Sequence, residues 1–252
     1  MNGLERARIP ELVEDWLATA TGPVPALPRQ SLDDLRLDAE VRSRTWWLLS
    51  RFYLERPEPV FLAELAAAFA AGAGADNAGA GEDFNALVET LHDAGSPAVA
   101  QRLCLEYTRL LRGLREGQGP PPPYESVYRG QTPGGDLTLA VRHRYRDAGF
   151  GDVGPRVGPQ DHVAAELRFL ALLALREAQA WDAGDIEPAL RRVAQQQGFL
   201  DVHLLAWLPT LVARIEAEAR EPFYRSAARL TLAFARECRA ALDLIECDSA
   251  RG

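Results

Sequence analysis

QDHVAAELRFLALLALREAQAW, residues 160–181, reads as one long helix, with Val163, Leu167, Leu170 and Leu173 or Ala174 marking a buried face at helical spacing. Outward from it in both directions the same period recurs, while runs of alternating β-branched residues are essentially absent. The reading is therefore an all-α fold: a single helical domain of about nine or ten helices.

On the N-terminal side, a core helix is expected from Asp33 or Asp34 to Tyr53, with Leu37, Val41, Trp46, Leu48, Leu49, Phe52 and Tyr53 apolar. Further helices are expected over Val60–Ala71, Glu82–Ala94 and Pro97–Gly113, the last with proline in its first turn and Gly113 as C-cap. Asp136 is read as the N-cap of a helix reaching Gly149. On the C-terminal side, Asp185 opens a helix that Gly198 ends, Pro209 should kink the segment 199–220, and Pro222 opens a last helix to about Ile245.

The breakers divide the chain. Residues 1–31 form an N-terminal extension: an amphipathic stretch (Ile9, Leu12, Val13, Trp16, Leu17) followed by TGPVPALPRQ, whose prolines stop any helix. Residues 32–248 form the helical domain. AGAGADNAGAG, residues 71–81, has neither the strand nor the lysine of a phosphate loop and reads as a linker. The stretch 114–136, LREGQGPPPPYESVYRGQTPGGD, interrupts two good helices with dense proline and glycine. A loop of that length inside a helical domain is usually functional or disordered, and its aromatic residues argue for function.

Composition excludes several chemistries. The chain has 252 residues, and its 28 basic against 36 acidic residues give a net charge of −8, opposite to the footprint of a nucleic-acid binder. Every basic residue is arginine, so neither a P-loop lysine nor a Schiff-base lysine exists. Cys104, Cys238 and Cys247 follow no metal spacing and suit a reducing compartment. The first residues lack the apolar run of a signal peptide and no later stretch reads as a membrane span, so a cytoplasmic location without stable membrane insertion is expected.

Few residues suggest catalysis. His162 and Glu166 stand four apart and Glu89 and His92 three apart, but no second pair completes a bundle metal site, and no metal or other cofactor is expected. Asp161 and His162, adjacent at a helix start, point in different directions; Asp161 is read as favouring the helix N-terminus and His162 as filling a polar corner. Ser126 has no local partner. Trp16, Trp46, Trp47, Trp181 and Trp207 are read as core. In PPPPYESVY, four prolines hold the backbone extended and present Tyr124 and Tyr128 with little entropy left to lose, which suits a peptide-binding rim.

Five segments carry a resemblance. Leu105-Glu106-Tyr107 with Leu110, Leu111 and Gly113, then Pro122 to Tyr128, then Gly158-Pro159-Gln160-Asp161-His162 with Glu166, Leu167, Phe169 and Leu170, resemble the TorD/DmsD family of redox-enzyme maturation chaperones. Phe199-Leu200 with His203, Leu204, Trp207 and Pro209, then Glu221-Pro222-Phe223-Tyr224 with Leu230 and Thr231, resemble its closing segment, so the likeness spans about residues 35–245. Arg42 to Tyr53 is similar to the branch serving type II enzymes, whose clients include ethylbenzene, dimethyl sulfide, selenate and chlorate enzymes. Where the family commonly has Leu-Phe-x-Gly-Pro, this chain has Leu110-Leu111-Arg112-Gly113-Leu114, and the run to the prolines is longer than usual.

The resemblance implies an all-α chaperone, not an enzyme. It would bind the twin-arginine leader and apo form of the catalytic subunit of a molybdenum enzyme of the dimethyl sulfoxide reductase family, assist molybdopterin insertion and delay export. Molybdenum cofactor biosynthesis proteins are further partners it suggests. Carried over by position, the leader and client site would comprise Leu110, Leu111, Pro123, Tyr124, Ser126, Tyr128, Asp161, His162 and Glu166. Two alternatives stand beside it: a small-molecule or nucleotide-processing enzyme using Asp161, His162 and Glu166, and a permanent subunit of a redox complex.

Overall fold

The computed structural model describes residues 31–72, 81–93, 95–113, 119–154 and 158–249. The amphipathic stretch near the N-terminus and most of the glycine-alanine linker lie outside the described residues. Among those described there is no β-strand; the helices form a single all-α domain.

The first helix, α1 (Leu32–Leu54), opens on a capping box: Ser31 Oγ accepts from the Asp34 amide while the Asp34 carboxylate accepts from the Ser31 amide. It is followed by α2 (Pro59–Gly72), α3 (Glu82–His92) and α4 (Pro97–Leu111). Pro97 stands in the first turn of α4, and Gly113 just beyond its end has φ of +62°. After the proline loop come a short α5 (Glu125–Tyr128) and α6 (Asp136–Asp147), which Gly135 rather than Asp136 caps.

The quoted stretch is the centre of the domain. α7 (Val163–Asp182) buries Val163, Leu167, Leu170, Leu173 and Ala174 as its register requires, and Ala164, Ala165, Phe169, Ala178 and Trp181 besides. Apolar burial on several sides makes it the core helix. α1 runs antiparallel to it: Arg36 stands near Asp182, Arg42 bonds Glu177, and Ser50 meets Arg168. The Arg42 guanidinium bonds both oxygens of fully buried Glu177, at 2.6 and 2.7 Å, while Trp181 Nε1 and Gln196 Nε2 also donate to that carboxylate. The charge is thus buried only with four hydrogen bonds on it.

The chain then runs through α8 (Ile186–Phe199), a π turn (Leu200–Leu204) and α9 (Leu205–Glu218) without a break. Two expectations are corrected here. Gly198 does not end α8, because the flanking Phe199 and Leu200 are core residues and their burial outweighs the weak helix propensity of one glycine. The irregularity is a π turn upstream of Pro209, which α9 carries in its interior. By length and composition Ile186–Glu218 is apolar enough to cross a membrane, and half of its apolar window is buried inside the domain.

The last helix, α10 (Pro222–Ser249), lies against α1, with the Trp46 and Phe234 rings edge to face at 4.6 Å and Tyr53 donating to Thr231 Oγ1 at 3.0 Å. Trp46, Trp181 and Trp207 are core as expected; Trp47 is not, being 47% exposed under the Arg168 guanidinium. Trp16 lies outside the described residues.

Candidate functional site

The proline loop returns to the molecule at α4. A Cβ on Gly113 would stand 3.0 Å from Pro122 Cδ, and one on Gly119 only 2.3 Å from the Arg109 carbonyl oxygen, so glycine is needed at both ends of the excursion 114–118. Pro120 and Pro123 are buried, and the Tyr128 hydroxyl donates back to the Pro121 carbonyl at 3.2 Å. The loop is fastened, not free.

Its far end is stitched to the start of α7. Tyr124 and His162 form an isolated antiparallel bridge, in which the Glu125 amide donates to the Asp161 carbonyl at 2.8 Å and the Val163 amide to the Pro123 carbonyl at 2.9 Å. His162 is the N-cap of α7, its Nδ1 accepting from the Ala164 amide at 3.1 Å. That role, rather than general base, is what the geometry gives it. Burial, with the Arg112 charge adding to it, pushes the His162 imidazole down to about 3, so it stays neutral.

Asp161 does not serve its own helix. Its carboxylate accepts from the Ser126 amide at 3.0 Å, at the N-terminus of α5, and from Thr138 Oγ1 at 2.8 Å, on α6. One fully buried side chain thereby joins the proline loop, α6 and the entry to α7.

Behind this junction lies a buried acidic pair. Glu125 and Glu166 are both fully buried. Glu125 accepts from Arg129 at 2.6 Å and is in hydrogen-bond contact with His203 Nδ1 at 3.0 Å. Trp207 Nε1 donates to Glu166 at 3.1 Å. Burial, then the neighbouring Glu125 charge, hold the Glu166 carboxyl well above the usual carboxylate range. The π turn supplies His203, and α9 directly after it supplies Trp207, which also packs on the Tyr128 ring at 5.5 Å.

The nine residues expected from the sequence fall into two sets. Pro123, Tyr124, Ser126, Tyr128, Asp161, His162 and Glu166 come together around the junction. Of these only Tyr124 and Tyr128 keep partial exposure. Leu110 and Leu111, 1% and 3% exposed, belong to the core under the loop. Residues not singled out beforehand complete the junction: Glu125, His203 and Trp207, all within the segments that carried the resemblance, and Thr138, for which no local sequence signal exists. Asp161, His162 and Glu166 are each committed to structural bonds and are not arranged as nucleophile, base and orienter. Among the described residues no group of three or more potential metal ligands occurs.

A family model described as nitrate reductase delta subunit matches residues 74–213, more than half of the chain. The chaperone protein TorD of Vibrio cholerae is 31% identical over 222 residues, covering 84% of this chain and 96% of the relative. The chain belongs to the TorD/DmsD family. Two shorter matches are named as assembly chaperones. A selenate reductase assembly chaperone protein of Thauera selenatis is 52% identical over 58 residues, 23% of this chain and 28% of that protein. A perchlorate reductase assembly chaperone protein of Dechloromonas aromatica is 27% identical over 143 residues, 57% of this chain and 54% of that protein. TorD/DmsD proteins so named are chaperones, and this member is a chaperone and not a catalyst.

Proposed function

We propose that the chain is a cytoplasmic assembly chaperone for a molybdenum enzyme of the dimethyl sulfoxide reductase family, holding the apo catalytic subunit and its twin-arginine leader until the molybdopterin cofactor is in place. Two relatives are named as assembly chaperones of selenate and perchlorate reductases, which supports a reductase as the client. The observation that carries the leader site is the fastened loop: Tyr124 and Tyr128 stay partly exposed on a backbone that Asp161, His162 and Pro123 already hold rigid. A preorganised aromatic rim gives up little entropy when a peptide docks. The buried members of the set position that rim, and the two tyrosines touch the leader.

The net charge of −8 steers the cationic end of a twin-arginine leader toward the protein. If the leader's apolar segment buries ~400 Å² of apolar area, the gross gain is about 10 kcal/mol. Ordering the peptide and losing its free motion offset much of that, leaving roughly micromolar binding, reversible enough to release the client. The experiment is titration calorimetry with a synthetic twin-arginine leader from a precursor molybdoenzyme of the source organism. Tyr124→Ala with Tyr128→Ala should weaken binding about tenfold or more, with unchanged helical circular dichroism. Unchanged affinity removes the site from this face.

The name of the matching family model also favours a second reading, a lasting subunit of a redox complex. Affinity capture separates the two. A chaperone recovers the precursor with its leader, and a subunit recovers the mature, cofactor-loaded enzyme in fixed ratio.

A further inference from the structure

Each tyrosine of the rim has an arginine beside it. Arg112 is the C-cap of α4, where the helix end favours a cation, and the next residue, Gly113, stands against Pro122, two positions before Tyr124. Arg214 follows Trp207 by seven residues on α9, hence on the same face about 10 Å along, and Trp207 packs on the Tyr128 ring at 5.5 Å. The two charges are felt by the rings. Burial and then Asp161 raise the Tyr124 hydroxyl, and the Arg112 charge works against them. Burial raises that of Tyr128, and there the Arg214 charge works against it.

The carboxylates around the rim are engaged elsewhere. Glu106 binds Arg109 at 2.7 Å and accepts from the Arg220 amide at 2.6 Å, and Glu218 lies 4.0 Å from Arg109. Glu125 holds Arg129 at 2.6 Å, and Asp161 is bonded by the Ser126 amide and Thr138. Arg112 and Arg214 are exposed, and among the described residues neither forms an ion pair. They are the uncommitted charges beside the tyrosines, and they are positive in a chain whose net charge is −8.

The two signs act at different stages of binding. The net field steers encounter, whereas the final pose is decided by charges within about 8 Å, the Debye length at physiological salt. A tyrosine face alone attracts a guanidinium. With one guanidinium already fixed beside it, a second is repelled, while an apolar side chain packs on the ring without that cost and a carboxylate is drawn to the arginine.

We propose that Arg112 and Arg214 set the polarity of leader docking: the tyrosine rim takes the leader's uncharged apolar segment, prefers one that carries an acidic residue, and keeps the twin arginines off this face. The assignment rests on the two tyrosines touching the leader, and it adds which part of the leader they touch.

The test is titration calorimetry, at low and at physiological salt, with the synthetic leader and with variants in which single positions, the twin arginines included, carry Asp or Arg in turn. At one or more positions of the apolar segment, the Asp peptide should bind the unaltered chain at least about tenfold more tightly than the Arg peptide, and added salt should shrink the ratio. Arg112→Gln with Arg214→Gln should bring that ratio within about twofold, and Arg112→Glu with Arg214→Glu should reverse it, both with unchanged helical circular dichroism. A leader that binds with no preference for Asp over Arg anywhere in its apolar segment overturns this inference alone. So does a preference confined to the twin-arginine positions, and so does one that survives in both arginine variants, which places its cause elsewhere. A leader that fails to bind the unaltered chain at all overturns the underlying leader site, and this assignment with it.

Discussion

His162→Asn tests whether the cap of α7 works as described. Folded, His162 is buried and neutral, with a pKa of about 3; unfolded, it returns to the ordinary value of 6.5. Between those values the unfolded chain binds the extra proton, so stability is present above pH 6.5 and drains away as pH falls, levelling off near pH 3. From about pH 7.5 to about pH 5 the folded imidazole stays neutral while the unfolded one becomes about 97% protonated, a loss of about 1.5 pKa units or about 2 kcal/mol. Asparagine keeps an acceptor for the Ala164 amide but cannot titrate. Urea denaturation followed by far-ultraviolet circular dichroism at both pH values should show the unaltered chain losing about 2 kcal/mol more than His162→Asn. The carboxylates that titrate in both chains cancel in that difference. Equal losses would refute the reasoning, because they would mean the imidazole takes a proton in the folded state as readily as in the unfolded one.

Two further outcomes follow from the packing. Arg42→Met leaves the Glu177 carboxylate buried without its cation and should cost about 3–5 kcal/mol by denaturant titration, while adding Glu177→Leu should restore much of it; a single-variant loss under about 1 kcal/mol would contradict the buried pair. Gly113→Ala must adopt φ of +62° and place its Cβ 3.0 Å from Pro122, so it should cost about 1–3 kcal/mol and, by shifting the proline loop, weaken leader binding as measured by calorimetry.

Periodicity was enough for the helices because a helix satisfies its backbone locally and needs only an apolar stripe to be buried. Thus α1, α4, α7 and α10 lie within a few residues of their expected bounds. Errors came where a tertiary contact overrode a local signal. Gly198 reads as a terminator, yet the core positions beside it carry the helix on into the π turn. Trp47 reads as core like its neighbour Trp46, yet one step along a helix turns a side chain by about 100°, which leaves Trp47 outside.

By itself the sequence determined the helical class, the central place of residues 160–181, the absence of lysine chemistry and the segments that the family shares, since each depends on residue identity and local spacing. Only the tertiary structure decided what the polar residues do. Asp161, 35 positions from Ser126 and 23 from Thr138, bonds both. Glu125 meets His203 across 78 positions, and Arg42 meets Glu177 across 135. No spacing rule reaches over such separations. A buried charge must find its partner wherever the packed helices bring one within hydrogen-bond distance, and that distance is fixed by the fold as a whole.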